Sequence, residues 1–129
     1  MLQGLGWLRR EQPRYVWNNG GYAGFINDGA LAHGLQRNYA TGSTDTGHKG
    51  SPMDASWAAG HPQRIEDYGH RAQHLMAVVA RQLVERRYAR PPKYAYFMGC
   101  SNGGYQGLTE AQRYPEDYDG IVATARFVQ

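Results

Sequence analysis

The sequence predicts an α/β domain: a parallel β-sheet with helices on both faces. Three observations predict it. Strand-like and helix-like segments alternate along the chain, the pattern of strands joined by helical crossovers. Glycine, at 17 residues about double its usual share, gathers in loops that follow strand-like runs rather than in a linker. The segment Gly99-Cys100-Ser101-Asn102-Gly103 falls where the aromatic run Tyr94–Met98 gives way to a helix-like one. That is the setting in which a sharp strand-to-helix turn lifts a serine above a sheet edge.

The elements follow in order. Arg14-Tyr15-Val16-Trp17 reads as a short strand, and Asn18-Asn19-Gly20-Gly21 as the loop after it. Residues Ala30 to Arg37 read as a short helix and Tyr39 to Thr44 as a second strand. A long irregular loop then runs from Asp45 to Pro62, and loops of that length inside compact domains are usually functional or disordered. From about Ile65 the positions Tyr68, Ala72, Leu75, Met76, Val79 and Leu83 recur at spacings of three and four, which predicts an amphipathic helix to about Tyr88. Pro91-Pro92 prevents its continuation. A strand from Tyr94 to Met98, the Ser101 turn, a helix to about Arg113 and a last strand from Tyr118 to Val122 complete the series. Right-handed crossovers bring the loops after Trp17, Thr44 and Met98 to one edge, the carboxyl ends of the strands, where ligands gather.

Composition narrows the class. A chain of 129 residues makes at most one domain, and 41% hydrophobic against 19% charged residues describes a packed core rather than disorder. Fourteen Lys and Arg against eleven Asp and Glu give a formal +3, with the basic residues scattered, so no nucleic-acid footprint is read. No apolar run approaches a membrane span, and Met1 to Leu8 followed by Arg9-Arg10 lacks the basic start and apolar length of a signal peptide. The single cysteine, Cys100, leaves no intramolecular disulfide within these residues.

Ser101 is the candidate nucleophile, because flanking glycines let the chain bend tightly while a helix packs close behind. The amide of Asn102, at the start of that helix, would face the oxyanion of acyl transfer. A base is harder to find. His33 lies on the short helix and His70 and His74 on the long one, which leaves His48, in the loop after the second strand, as base or as a loop histidine bonded to carbonyls and lining the pocket. Asp45 is read either as orienting an imidazole or as capping its own loop. His70 and His74 sit at helical spacing but lack a third evident ligand, so they read as solvated residues and no metal site is assigned. Trp57, Tyr22 and Tyr105 form either an aromatic wall for a substrate ring or part of the core.

Four stretches carry a resemblance: Ser43-Thr44-Asp45-Thr46-Gly47-His48, Ala55-Ser56-Trp57-Ala58 with Gly60-His61-Pro62, Pro92 to Gly104, and Gln106 to Leu108 with Glu110 to Ala123. Over about residues 15 to 123 the chain resembles the tannase and feruloyl esterase family, secreted or periplasmic α/β-hydrolases that cleave esters of phenolic acids. The resemblance implies that Ser101 attacks the ester carbonyl, with Asn102 supplying one oxyanion donor and the loop near Asn19 and Gly20 a second. Asn18 stands where the family usually has glycine. In the family the cysteine before the serine pairs with one beside the catalytic histidine, and Cys100 matches the first half of that pair.

The same resemblance places the four strands at about strands 3 to 6 of an α/β-hydrolase core, in spatial order second, first, third, fourth. The acid, the histidine, the C-terminal strands and the family's calcium-binding lid are then expected beyond Gln129, with no cofactor in these residues. The expected partner is a small aromatic ester, and open sheet edges favour self-association. The expectation is therefore a partial serine carboxylesterase, weakly active or inactive alone. The alternative is a non-catalytic remnant or interaction module that keeps the sheet, with Arg126 to Gln129 as a true terminus.

Overall fold

The structure, a computed structural model, describes residues 14–17 and 20–125. Asn18, Asn19, the segment before Arg14 and Arg126 to Gln129 lie outside the described residues. Four strands, β1 (Arg14–Trp17), β2 (Ala40–Gly42), β3 (Ala95–Cys100) and β4 (Gly120–Thr124), form one sheet in the order β2-β1-β3-β4. All three pairings are parallel, with Tyr15 opposite Thr41 and Tyr96, and Phe97 opposite Ile121. Direction and order agree with the expectation from the sequence.

Helix α1 (Asp28–Gln36) joins β1 to β2; α2 (Pro62–Glu66), a π-helical turn (Asp67–Arg71) and α3 (Ala72–Tyr88) join β2 to β3; α4 (Asn102–Arg113) joins β3 to β4. The first crossover runs one way along the sheet and the other two run back. Right-handed crossovers therefore put α1 on one face and α3 and α4 on the other. The reversal falls between β1 and β3, the crevice in which open α/β sheets hold ligands. The loops leaving the carboxyl ends of those two strands carry Gly20 and Ser101.

The core lies under α3. Met76, Ala77 and Ala80 pack on Ala95 and Phe97 of β3 and on Tyr118, whose ring meets Phe97 edge-on at 5.5 Å. Helix α4 approaches the same face through glycine: a Cβ at Gly107 would lie 3.0 Å from the Phe97 ring and 3.1 Å from Ile121.

Element ends differ from the expectation where side chains compete for backbone groups. Strand β2 stops at Gly42, because Ser43 Oγ accepts from the Asn27 amide and Thr44 Oγ1 from the Thr46 amide. Helix α1 begins two residues early, capped by the Asn27 side chain, which accepts from the Ala30 amide at 2.9 Å. Strand β4 begins at Gly120 rather than Tyr118, since Asp119 is tied at its carboxylate and its amide to Ala95.

The long helix departs most from the sequence reading. It starts at Pro62, and its buried stripe is Gln73, Met76, Ala77, Ala80 and Val84, while Leu75 is half exposed. The π-helical turn is the cause. It closes a five-residue bond from the Ala72 amide to the Asp67 carbonyl, so one extra residue enters the turn and the helical phase slips. Tyr68 and Gln73, five apart, then share a face that an unbroken α-helix would give to residues 68, 72 and 75. Among the described residues no helix is long and apolar enough to cross a membrane.

Candidate active site

Ser101 sits between β3 and α4 at φ 58°, ψ −119°, a backbone conformation that costs about 1–3 kcal/mol and persists only where the surroundings impose it. The surroundings are visible. The Ser101 amide donates to the Thr124 carbonyl at 3.0 Å, and its carbonyl accepts from the Tyr105 amide at 3.1 Å. The serine occupies the cap position of α4, yet its side chain makes no capping bond. The hydroxyl is thus not committed to the helix, and the Asn102 amide is among the first-turn donors for which an α-helix has no internal acceptor.

Glycine makes the approach of α4 feasible. A Cβ at Gly99 would stand 2.2 Å from the Gly103 carbonyl oxygen, and one at Gly104 would stand 2.5 Å from that of Thr124. Across the crevice, the Cβ position of Gly20 lies 3.8 Å from the Ser101 Cβ, so the loop after β1 does reach the serine.

That loop is latched to the segment around His48. The Tyr22 amide donates to the Pro52 carbonyl at 2.9 Å and the Gly24 amide to that of Gly50 at 3.0 Å. His48 is buried and fully engaged: Nε2 is 2.8 Å from the Tyr22 carbonyl oxygen, Nδ1 is 3.3 Å from Thr46 Oγ1, and the ring stacks on Trp57 at 3.8 Å. Both nitrogens face partners other than Ser101. Asp45 accepts from the Gly47 amide at 3.1 Å and pairs with Lys49 at 2.8 Å, so it holds its own loop. Burial alone would push its pKa up, but Lys49 and the Gly47 amide more than offset that and leave it below the ordinary value.

Trp57 is buried, whereas Tyr22 and Tyr105 are half exposed. The residue that joins them is one the sequence reading treated as a core position, Tyr68. Its ring lies 5.1 Å from that of Trp57, 5.8 Å from that of His48 and 6.1 Å from that of Tyr22, and its hydroxyl donates to the Gly21 carbonyl at 2.8 Å. Burial pushes the phenol up to about 12; the neighbouring Tyr22 and Tyr105 add to this, and the polar Asn102 side chain opposes it. No sequence signal marks the π-helical turn that aims Tyr68, since Tyr68 fits a plain helical repeat equally well.

His70 and His74 are not solvated helix residues. His70 Nδ1 is 2.7 Å from the Tyr114 hydroxyl, and His74 stacks on the same ring at 4.0 Å with Nδ1 2.8 Å from Asp117 Oδ2. They dock α3 onto the end of α4, and only Tyr114 and Asp117, both distant in sequence, reveal it. Among the described residues no three His, Cys, Asp or Glu side chains converge to hold a metal ion.

Cys100, the last residue of β3, is exposed as a free thiol. Ellman's reagent is therefore expected to titrate one thiol per chain in these 129 residues folded on their own. A thiol that reacts only after denaturation would contradict that exposure.

A parallel sheet with a strained serine at the strand-to-helix turn, beside a glycine loop at the topological switch, defines an α/β-hydrolase core. The chain belongs to the tannase and feruloyl esterase family, which it matches over residues 9–129, a wider span than the quoted motifs cover. It is 46% identical over 104 residues to an uncharacterized esterase of Xanthomonas campestris pv. campestris, a match covering 81% of this chain and 18% of the relative. With feruloyl esterase B of Aspergillus niger it shares 36% identity over 119 residues, 91% of this chain and 22% of the relative. The crystal structure of feruloyl esterase B from Aspergillus oryzae superposes with a TM-score of 0.83 at 32% identity, covering 88% of this chain and 22% of that one. The family's enzymes are carboxylic ester hydrolases. The chain spans about a fifth of the length of these relatives.

Proposed function

We propose that these residues carry the nucleophile half of a serine carboxylesterase that acts on esters of phenolic acids. The observation that carries the reading is the strained Ser101 with Gly20 beside it at the switch point. Ser101 Oγ adds to the ester carbonyl carbon as its proton passes to a base. The oxyanion is met by the Asn102 amide and by an amide of the Gly20 loop. The C–O bond to the alcohol breaks as the base returns the proton, and water then releases the phenolic acid from the acyl-serine.

The engagement of both His48 nitrogens supports a base other than His48. In this fold the acid and histidine follow the serine in chain order, so we place both outside these 129 residues, with Cys100 bonded to a cysteine beside that histidine and the whole protein secreted or periplasmic. Half-exposed Tyr22 and Tyr105 beside Tyr68 supply an aromatic rim for the phenolic ring. The names of the feruloyl esterase relatives support the same substrate class.

The test is hydrolysis of methyl ferulate by the protein at its natural length, together with labelling of Ser101 by an aryl phosphonate. Ser101→Ala is expected to abolish labelling and lower kcat about a thousandfold or more. Undiminished turnover in Ser101→Ala would sink the reading. The 129 residues alone should hydrolyse the ester only near background.

A further inference from the structure

We propose that Tyr68 is the positioning residue of the oxyanion site, pinning the glycine loop after β1 through its phenol and tying it to α4 through its own carbonyl. The inference rests on the esterase reading above and adds a residue to that site.

The geometry begins at the loop. Gly21 has φ +57°, and its Cβ position would fall 2.4 Å from the Pro52 carbonyl oxygen, so the loop lies hard against residue 52 on one side. On the peptide between Gly21 and Tyr22, the carbonyl accepts from the Tyr68 hydroxyl at 2.8 Å and the amide donates to Pro52 at 2.9 Å. The carbonyl of Gly20 accepts from the Ala23 amide at 3.4 Å. In a trans peptide the N–H and C=O point in opposite directions, so a bond that fixes one carbonyl fixes the direction of its amide. Tyr68 adds to these a bond from the helical side of the loop, 47 residues away in sequence.

The residue also reaches the other half of the site, since its carbonyl accepts from the Gln106 side chain of α4. Asn102 directly follows the candidate nucleophile, and Gly20 lies 3.8 Å from it by Cβ position. One residue is therefore bonded both to the glycine loop and to the helix that starts at Asn102. Its proton is committed to Gly21, and its pKa is far above neutrality, so it holds position and does not move protons.

The fold maintains Tyr68 there at a cost. A π-helical turn gives up regular α-helical bonds, and here the Tyr68 carbonyl takes a further bond from Gln106 Nε2 at 3.4 Å. Gln106 is 1% exposed, lies on α4 five residues after Ser101, and is backed by Gln73 Nε2 at 3.5 Å from its Oε1. The helix that carries the nucleophile thus also braces the turn that carries Tyr68, which couples the two halves of the site mechanically.

The test is Tyr68→Phe, which keeps the ring and deletes the hydroxyl, in the protein at its natural length. Hydrogen exchange of the amides in residues 20–24 should accelerate about tenfold or more, with β3 and α4 unchanged. Methyl ferulate turnover should fall about ten- to a hundredfold in kcat with KM nearly constant, the signature of a donor that matters only in the transition state. Gln106→Met, which keeps the phenol but frees the carbonyl of Tyr68, should show the same pattern more weakly and serves if Tyr68→Phe fails to fold. Unchanged exchange in residues 20–24 overturns the proposal whatever the activity. Changed exchange with unchanged kcat, while Ser101 still takes the phosphonate label, overturns the catalytic part and leaves the esterase reading intact. Absence of label at Ser101 in the unmutated protein removes the esterase reading and the catalytic part with it.

Discussion

Gly99→Ala is expected to destabilise the protein by about 4 kcal/mol or more, enough to prevent it from accumulating in folded form. The added Cβ would lie 2.2 Å from the Gly103 oxygen, 2.3 Å from its carbonyl carbon and 2.8 Å from its Cα, all backbone atoms that no rotamer change can move. Relief requires α4 to back away from β3. The helix is held on its other contacts as well: Gly104 approaches the Thr124 carbonyl and Gly107 the Phe97 ring, each too closely for a side chain to be inserted without a shift. Withdrawal would also break the bond from the Ser101 amide to Thr124 that keeps the serine in its strained conformation. Gly69→Ala is the matched control, because a Cβ there meets nothing within 4 Å and its φ lies outside the left-handed region, so little change or a slight gain is expected. Soluble yield and urea midpoints of the two variants make the comparison. A Gly99→Ala protein within about 1 kcal/mol of the parent would mean that the elbow is not built as described.

The elbow and the sheet were legible in the sequence for local reasons. Glycines around a serine between a strand-like and a helix-like run permit few other conformations, and the alternation of elements set both strand direction and crossover hand. Two features were not legible. The phase slip at residues 67–71 rests on a backbone choice that leaves the apolar spacing intact up to Tyr68 and breaks it only afterwards, so the sequence pattern assigns Leu75 to a core it does not enter. Helix α4 buries Gly103, Gly104, Gln106, Gly107, Thr109 and Glu110, a face of glycine and polar groups that hydrophobic periodicity cannot find. Its close approach replaces side-chain packing, and the buried polar groups serve neighbours such as Tyr68 that become neighbours only after folding. Asp45 and His48 show the limit from the other side. Their residue types and spacing suit acid–base chemistry, yet each is used up holding the loop that backs the candidate oxyanion segment.

Stability is expected to fall as pH rises from about 4.5 to about 8, and Glu110→Gln should remove most of that fall. Glu110 on α4 is 0% exposed, and neither carboxyl oxygen finds a hydrogen bond of ordinary geometry. Burial, aided by the adjacent Asp117 carboxyl, pushes its pKa from 4.5 up to about 8, so the folded protein keeps this side chain mostly neutral at pH 7. The sign follows from proton counting. Below pH 4.5 the folded and unfolded chains both hold the proton and nothing is lost. Between the two values the unfolded chain releases its proton while the folded chain retains it, so each unit of pH removes up to about 1.4 kcal/mol of stability. Above pH 8 both forms are ionised and the loss is complete, at roughly 5 kcal/mol in all, a large share of what a small domain possesses. A glutamine has nearly the same shape and cannot ionise. Glu110→Gln should therefore match the parent near pH 4.5 and exceed it by a few kcal/mol at pH 8.5. Urea midpoints across that range read the difference directly. Parallel profiles for the two proteins would show that Glu110 ionises as easily in the fold as in water, and that the end of α4 is wetter than its packing against Asp117 implies.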